Sequence, residues 1–258
     1  MNRLQKLFSS KPSNLLSVFY TAGFPKLSDT VAIGQALEKA GADIIEIGIP
    51  FSDPVADGPA IQESNKIALE NGMNLRLLMQ QVTALRQRTS IPIILMGYLN
   101  PVLQYGFEKF CSDCAAAGVD GIILPDLPLD VYLKEYKAVV ENSKLSMTFL
   151  ISPTTSVERI RLIDSETNTF IYAVSASSTT GAKQGFSDAQ RAYFNRIHET
   201  NLKNSVMIGF GISNQETFKT ACKYSSGAII GSAFINMLKS STNLDVDVQT
   251  FVKDIKKA

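Results

Sequence analysis

The chain has 258 residues, 45% of them hydrophobic and 19% charged, with a net charge of +1. That length accommodates one α/β barrel or two smaller domains with ample core, and the near-neutral charge disfavours disorder and electrostatic capture of nucleic acid. A small, neutral partner fits better. Three cysteines without the spacing of a disulfide framework point to a reducing compartment, with the cytoplasm as default, and no apolar stretch is long enough to predict a membrane span.

Met1 to Phe8 reads as a short amphipathic helix without the apolar run of a signal peptide. Leu15 to Tyr20 predicts a strand that stops at Thr21-Ala22-Gly23-Phe24-Pro25, where glycine and proline forbid its continuation. Ser28 or Asp29 caps a helix through Ala40, Gly41 ends it, and Asp43 to Ile47 is the second strand. Further strands are predicted near Pro92 to Met96, Gly121 to Leu124, Met147 to Ile151, Phe170 to Val174, Val206 to Gly209 and Ala228 to Gly231. Between and after them, helical patterns run near Leu75 to Arg88, Phe107 to Ala117, Val131 to Glu141, Val157 to Ser165, Asp188 to Glu199, Asn214 to Tyr224 and Val246 to Lys256. Strands apolar on both faces that alternate with amphipathic helices belong to a parallel sheet, because helices must cover both faces. Eight such units favour a single α/β domain over residues 1–258, a closed (β/α)8 TIM barrel with an extra amino-terminal helix and a short helix, Ala233 to Leu238, after the eighth strand.

The second strand runs into Ile45-Glu46-Ile47-Gly48-Ile49-Pro50-Phe51-Ser52-Asp53-Pro54-Val55-Ala56-Asp57-Gly58-Pro59. Alternation places Ile45 and Ile47 on one face and Ile44, Glu46 and Gly48 on the other, so Glu46 points into the barrel near its carboxyl rim. Desolvation there raises its pKa, which suits a group that both donates and accepts protons. Asp57 precedes a glycine, as in many ordinary turns, but it shares with Asp53 a loop stiffened by Pro50, Pro54 and Pro59 that can hold a carboxylate in place. Gly209-Phe210-Gly211-Ile212-Ser213 and Gly231-Ser232-Ala233 follow the last two strands, where barrels commonly bind phosphate with the help of an extra helix. The small, polar run Ser175 to Gly185 has the composition of a lid. Cys111 and Cys114 read as helix packing, and His198 as a surface residue.

One histidine and no acid–histidine cluster disfavour metal-dependent chemistry. No lysine lies in the strands for a Schiff base, and no early glycine fingerprint marks a dinucleotide site. What is left is proton transfer, or bond cleavage in which the substrate supplies its own electron sink.

The run from Ile45 to Pro59 closely resembles the signature of the tryptophan synthase alpha subunit family. The resemblance extends through Thr21-Ala22-Gly23, Asp126-Leu127-Pro128, Thr180-Gly181, Gly209 to Ser213 and Gly231-Ser232-Ala233. It implies a lyase of tryptophan biosynthesis that cleaves indole-3-glycerol phosphate to indole and glyceraldehyde 3-phosphate by a retro-aldol reaction. Glu46 would then be the acid–base and Asp57 the partner of the indole N–H. Phe19, Met96, Tyr98 and Tyr172 would lie around the substrate, with Gly181, Gly211, Gly231 and Ser232 on its phosphate. The resemblance also implies no cofactor or metal in this chain, a beta subunit carrying pyridoxal phosphate, an alpha2-beta2 assembly, and Asp53 among the residues that signal to the partner. Two departures stand out: Ser175 to Gly181 lacks the arginine and first glycine usual in the family, and Phe24 stands where an acidic residue is common. The altered lid keeps a rival reading open, a noncatalytic barrel that activates a beta subunit.

Overall fold

The computed structural model describes residues 1–11, 13–175 and 186–257. Nine strands follow one another as β1 (Leu15–Thr21), β2 (Ile44–Gly48), β3 (Ile93–Met96), β4 (Gly121–Ile123), β5 (Ser146–Thr148), β6 (Leu150–Ile151), β7 (Phe170–Val174), β8 (Ser205–Gly209) and β9 (Gly227–Ile230). All neighbouring pairs are parallel, in the order β5-β4-β3-β2-β1-β9-β8-β7-β6. The two ends of that order, β5 and β6, are separated in the chain by Phe149 alone, whose carbonyl accepts the Tyr172 N–H at 3.0 Å. They are one predicted strand with a local break, and through it the sheet closes into the expected eight-unit barrel.

The helices are α1 (Arg3–Ser10), α2 (Asp29–Ala40), α3 (Pro59–Glu70), α4 (Leu75–Arg86), α5 (Leu99–Tyr105), α6 (Phe107–Ala117), α7 (Leu129–Val131), α8 (Lys137–Asn142), α9 (Val157–Glu166), α10 (Asp188–Glu199), α11 (Gln215–Cys222), α12 (Ser232–Ser240) and α13 (Leu244–Lys256). A π-turn, Tyr132–Tyr136, joins α7 to α8, so the predicted helix near Val131 to Glu141 is longer and less regular than periodicity implies. Two helices, α3 and α5, go beyond the sequence-based pattern. The buried side of α3 is Ile61, Ser64, Asn65 and Ala68, half of it polar, which hides its period. α5 carries Pro101 in its first turn and buries only Val102.

Inside the barrel lies an apolar cluster that includes Leu15, Ile44, Ile94, Phe170, Tyr172 and Met207, and a second, larger layer lies between strands and helices. Ile44 belongs to the inner cluster and Ile45 and Ile47 to the outer one, the alternation expected for β2. Leu4 of α1 joins the inner cluster, so the extra helix closes the amino end of the barrel. Its cap residue Asn2 donates to the Asp120 carbonyl at 2.9 Å and to Ser146 Oγ at 3.0 Å.

Asp120, 1% exposed, knots this floor together. Its carboxylate accepts from Arg86 Nη2 at 3.0 Å, from the Ile93 N–H at 3.0 Å and from Arg3 Nη1 at 3.2 Å. Cutting one partner out of such a buried network strands the others, so Asp120→Ala is expected to lower unfolding stability by about 3 kcal/mol. Urea denaturation checks this; a loss within experimental error contradicts the reading.

Candidate active site

Glu46 sits on β2 beside Phe19 of β1 and Ile94 of β3 and has no exposed surface. Ser17 Oγ donates to Glu46 Oε1 at 2.6 Å. Among the described residues, Oε2 has no hydrogen-bond partner. Burial pushes the Glu46 carboxyl up to about 7, and the Ser17 hydrogen bond opposes that rise. Sequence reasoning missed Ser17. The available signal was its position two residues before Phe19, on the inward face of a strand that is otherwise almost wholly apolar.

Asp57 lies on the loop between β2 and α3 and is half-buried. Tyr98 donates its hydroxyl to Asp57 Oδ2 at 3.1 Å and accepts the Ala56 N–H at 3.1 Å, so one phenol fixes both the carboxylate and its backbone. Burial raises the Asp57 carboxyl above its ordinary value, and the Tyr98 hydrogen bond opposes the rise. The Tyr98 phenol is pushed up to about 12, by burial and then by the Asp57 charge. The loop is tied down further where Asn65 of α3 accepts the Phe51 N–H at 3.2 Å and the Phe51 ring packs on Tyr98 with centroids 5.2 Å apart. Beneath it, Thr21 Oγ1 and Ser64 Oγ lie 2.6 Å apart. Asp126 accepts the Leu99 N–H, which sets the start of α5 beside Tyr98.

Tyr172 is 4% exposed and belongs to the inner cluster with Met96. Burial drives its phenol upward, and the Glu46 and Asp57 carboxylates drive it further, so all three side chains share one region of the rim. A Cβ on Gly209 would stand 2.2 Å from the Tyr172 hydroxyl, and one on Gly48 would stand 2.5 Å from the Phe19 ring. These two glycines make room for the aromatic side chains of the site. The next loop turns through Phe210 and Gly211, both at positive φ, and Ser175 Oγ donates to the Phe210 carbonyl at 2.6 Å. Gly231 caps α12, whose first residue, Ser232, is exposed. Gly231 also borders Phe19, since a Cβ there would stand 3.5 Å from the ring. Asp53 is exposed beside Val55, itself 87% exposed, and is held by Ser52.

Gly181 and the rest of residues 176–185 lie outside the described residues, so the expected lid and its missing arginine have no structural account. Phe24, in contrast, is 2% exposed in the outer core, where an apolar residue is at home. Cys111 and Cys114 are buried in α6 and His198 is exposed, as expected. Among the described residues, no three His, Cys, Asp or Glu side chains gather as a metal site.

The family profile described as "Tryptophan synthase alpha chain" matches residues 5–257. The chain belongs to the tryptophan synthase alpha chain family. It is 52% identical to the tryptophan synthase alpha chain of Parabacteroides distasonis over 257 residues, covering 100% of both chains. It is 55% identical to that of Flavobacterium johnsoniae, covering 99% of this chain and 100% of the other. Among solved structures, the alpha subunit of Legionella pneumophila superposes with a TM-score of 0.88 at 31% identity, covering 99% of this chain and 97% of that one. A Mycobacterium tuberculosis tryptophan synthase structure gives 0.88 at 31%, covering 98% and 96%. As a member of that family this barrel is a lyase that cleaves indole-3-glycerol phosphate in tryptophan biosynthesis; pyridoxal phosphate belongs to the beta subunit, its partner. No helix among the described residues is long and apolar enough to cross a membrane.

A carboxyl that binds its proton more tightly folded than unfolded penalises folding as pH rises from 4.5 toward about 7, and fully above that. Glu46→Gln has no proton to lose. Its stability relative to the parent is therefore expected to improve by up to about 3 kcal/mol between about pH 5 and about pH 8. Thermal unfolding at the two pH values measures the change, and a difference that does not vary with pH rules out a raised Glu46 pKa.

Proposed function

We propose that Glu46 is the acid–base and Asp57 the partner of the indole nitrogen in the cleavage of indole-3-glycerol phosphate. The neutral Glu46 carboxyl gives its proton to the indole ring carbon bearing the glycerol chain, which leaves positive charge on the ring and its nitrogen. The carboxylate so formed takes the proton of the glycerol hydroxyl beside the scissile bond. That oxygen's electron pair forms the aldehyde as the carbon–carbon bond breaks, and the bonding pair returns to the ring. Asp57 accepts the ring N–H and stabilises the transient positive charge. The observation that carries this reading is a wholly buried carboxyl with a single hydrogen-bond donor on β2, followed on the next loop by a second carboxylate fixed by Tyr98.

Phe19, Met96, Tyr98 and Tyr172 form the walls around the indole. Backbone N–H groups of Gly211, Gly231 and Ser232, with Gly181, take the phosphate at the amino end of α12. The chain works in the cytoplasm as one barrel unit, residues 1–258, in an alpha2-beta2 assembly to which it passes indole. Asp53, on the exposed loop after β2, signals to that partner.

Release of indole by the purified chain, with and without a beta subunit, tests reaction, residues and partner together. Glu46→Gln is expected to lower kcat by roughly three orders of magnitude with KM little changed, and Asp57→Asn to leave at most a small residue of activity. Because Glu46 must start protonated, kcat/KM is expected to fall above about pH 7. Near-normal turnover in Glu46→Gln would overturn the assignment.

A further inference from the structure

We propose that Ser17 is a positioning residue for Glu46: its hydroxyl holds Oε1 and thereby makes Oε2 the oxygen that carries and delivers the proton. The inference rests on the role of Glu46 proposed above.

Two observations and one chemical argument carry it. Ser17 is wholly buried on β1, and its Oγ donates to Oε1 at 2.6 Å, the one hydrogen bond to this carboxyl among the described residues. The registers Ser17↔Ile44 and Phe19↔Glu46 put Ser17 one inward-facing layer nearer the amino end of the barrel than Glu46. A carboxyl anchored from that side turns its other oxygen away from the floor, which Leu4 closes. Finally, an O–H that donates to Oε1 occupies a lone pair there, and in the neutral acid the proton then sits on Oε2.

The hydrogen bond also changes strength during the reaction. When Oε2 releases its proton, negative charge spreads over both oxygens, and the Ser17 O–H then bonds to an anion instead of a neutral carbonyl oxygen. An interaction that grows as the transition state forms accelerates the chemical step more than it aids binding. Among the described residues no other hydroxyl bonds to this carboxyl. The adjoining strands present Phe19 and Ile94 beside Glu46, neither of which ionises, and the titratable group whose phenol its charge raises is Tyr172 of β7, which the Asp57 charge from the loop after β2 raises as well. Tyr172 makes no hydrogen bond to either Glu46 oxygen, so among the described residues Ser17 is the group that favours the carboxylate.

The experiment compares the full chain with Ser17→Ala, Ser17→Thr and Glu46→Gln variants, by indole release from indole-3-glycerol phosphate across the pH range, with thermal unfolding of each. For Ser17→Ala we expect kcat to fall about tenfold, KM to stay within about twofold, and the high-pH limb of kcat/KM to move up by about one unit, because the anion has lost its donor. Ser17→Thr, which keeps the hydroxyl, is expected to restore the limb to its parental position even if its added methyl lowers Tm. A purely structural serine would alter Tm and leave the limb where it was. An unmoved limb and unchanged kcat in Ser17→Ala, with Glu46→Gln inactive, overturns the inference about Ser17 and leaves the reading of Glu46 intact. Turnover retained in Glu46→Gln overturns both.

Discussion

A carboxyl moved from water into a protein interior loses several kcal/mol of hydration unless it gives up its charge or gains partners. Glu46 gains one partner, the Ser17 hydroxyl, and stands otherwise beside Phe19 and Ile94 on the adjoining strands. So poorly compensated a group keeps its proton to about pH 7. The rest of the barrel supports that placement. Parallel pairing on both sides locks the register of β2, and a slip of one residue would turn Glu46 outward and put Ile45 or Ile47 in its place. The Asp120 network and Leu4 seal the floor beneath, which keeps water from reaching the carboxyl from the amino end.

Loop residues complete the site by other means. Where Glu46 depends on the sheet, Asp57 depends on side chains that clamp a proline-stiffened loop: Tyr98 from beyond β3, Asn65 from α3, and the Thr21–Ser64 pair below. The polar face of α3 thus has a function that its irregular hydrophobic pattern does not disclose. It supplies hydrogen bonds to backbone that a loop between strand and helix would otherwise leave unpaired.

The strand–helix alternation, the inward parity of Glu46 and the rim position of Asp57 were legible because each depends on local periodicity or on glycine and proline. Phe149 was not legible as a break, since a single residue at which the strand changes partner, from β4 to β7, carries no compositional mark inside an apolar run. Nor was the π-turn at Tyr132–Tyr136, which conforms to helical periodicity on either side. α3 and α5 were missed because burial there falls on Ser64, Asn65 and Val102, not on a continuous apolar stripe. Ser17 and Tyr98 show the general difficulty: each acts through a partner 29 and 41 residues away, and only the fold brings such pairs together.

In the proposed mechanism two carboxyls serve one reaction because their surroundings differ. For the proposed roles, Glu46 must begin neutral to protonate a ring carbon, whereas Asp57 must be charged when the ring nitrogen becomes positive. Full burial with a single donor suits the first requirement. Burial works against the second requirement by raising the Asp57 carboxyl, and the phenol that donates to the carboxylate opposes that rise and favours the anion. In the proposed reaction charge travels from Glu46 to the ring and back, which calls for one group that changes its charge and one that does not. The division is set by depth in the barrel, which for each residue follows from its place on the strand or on the loop beyond it.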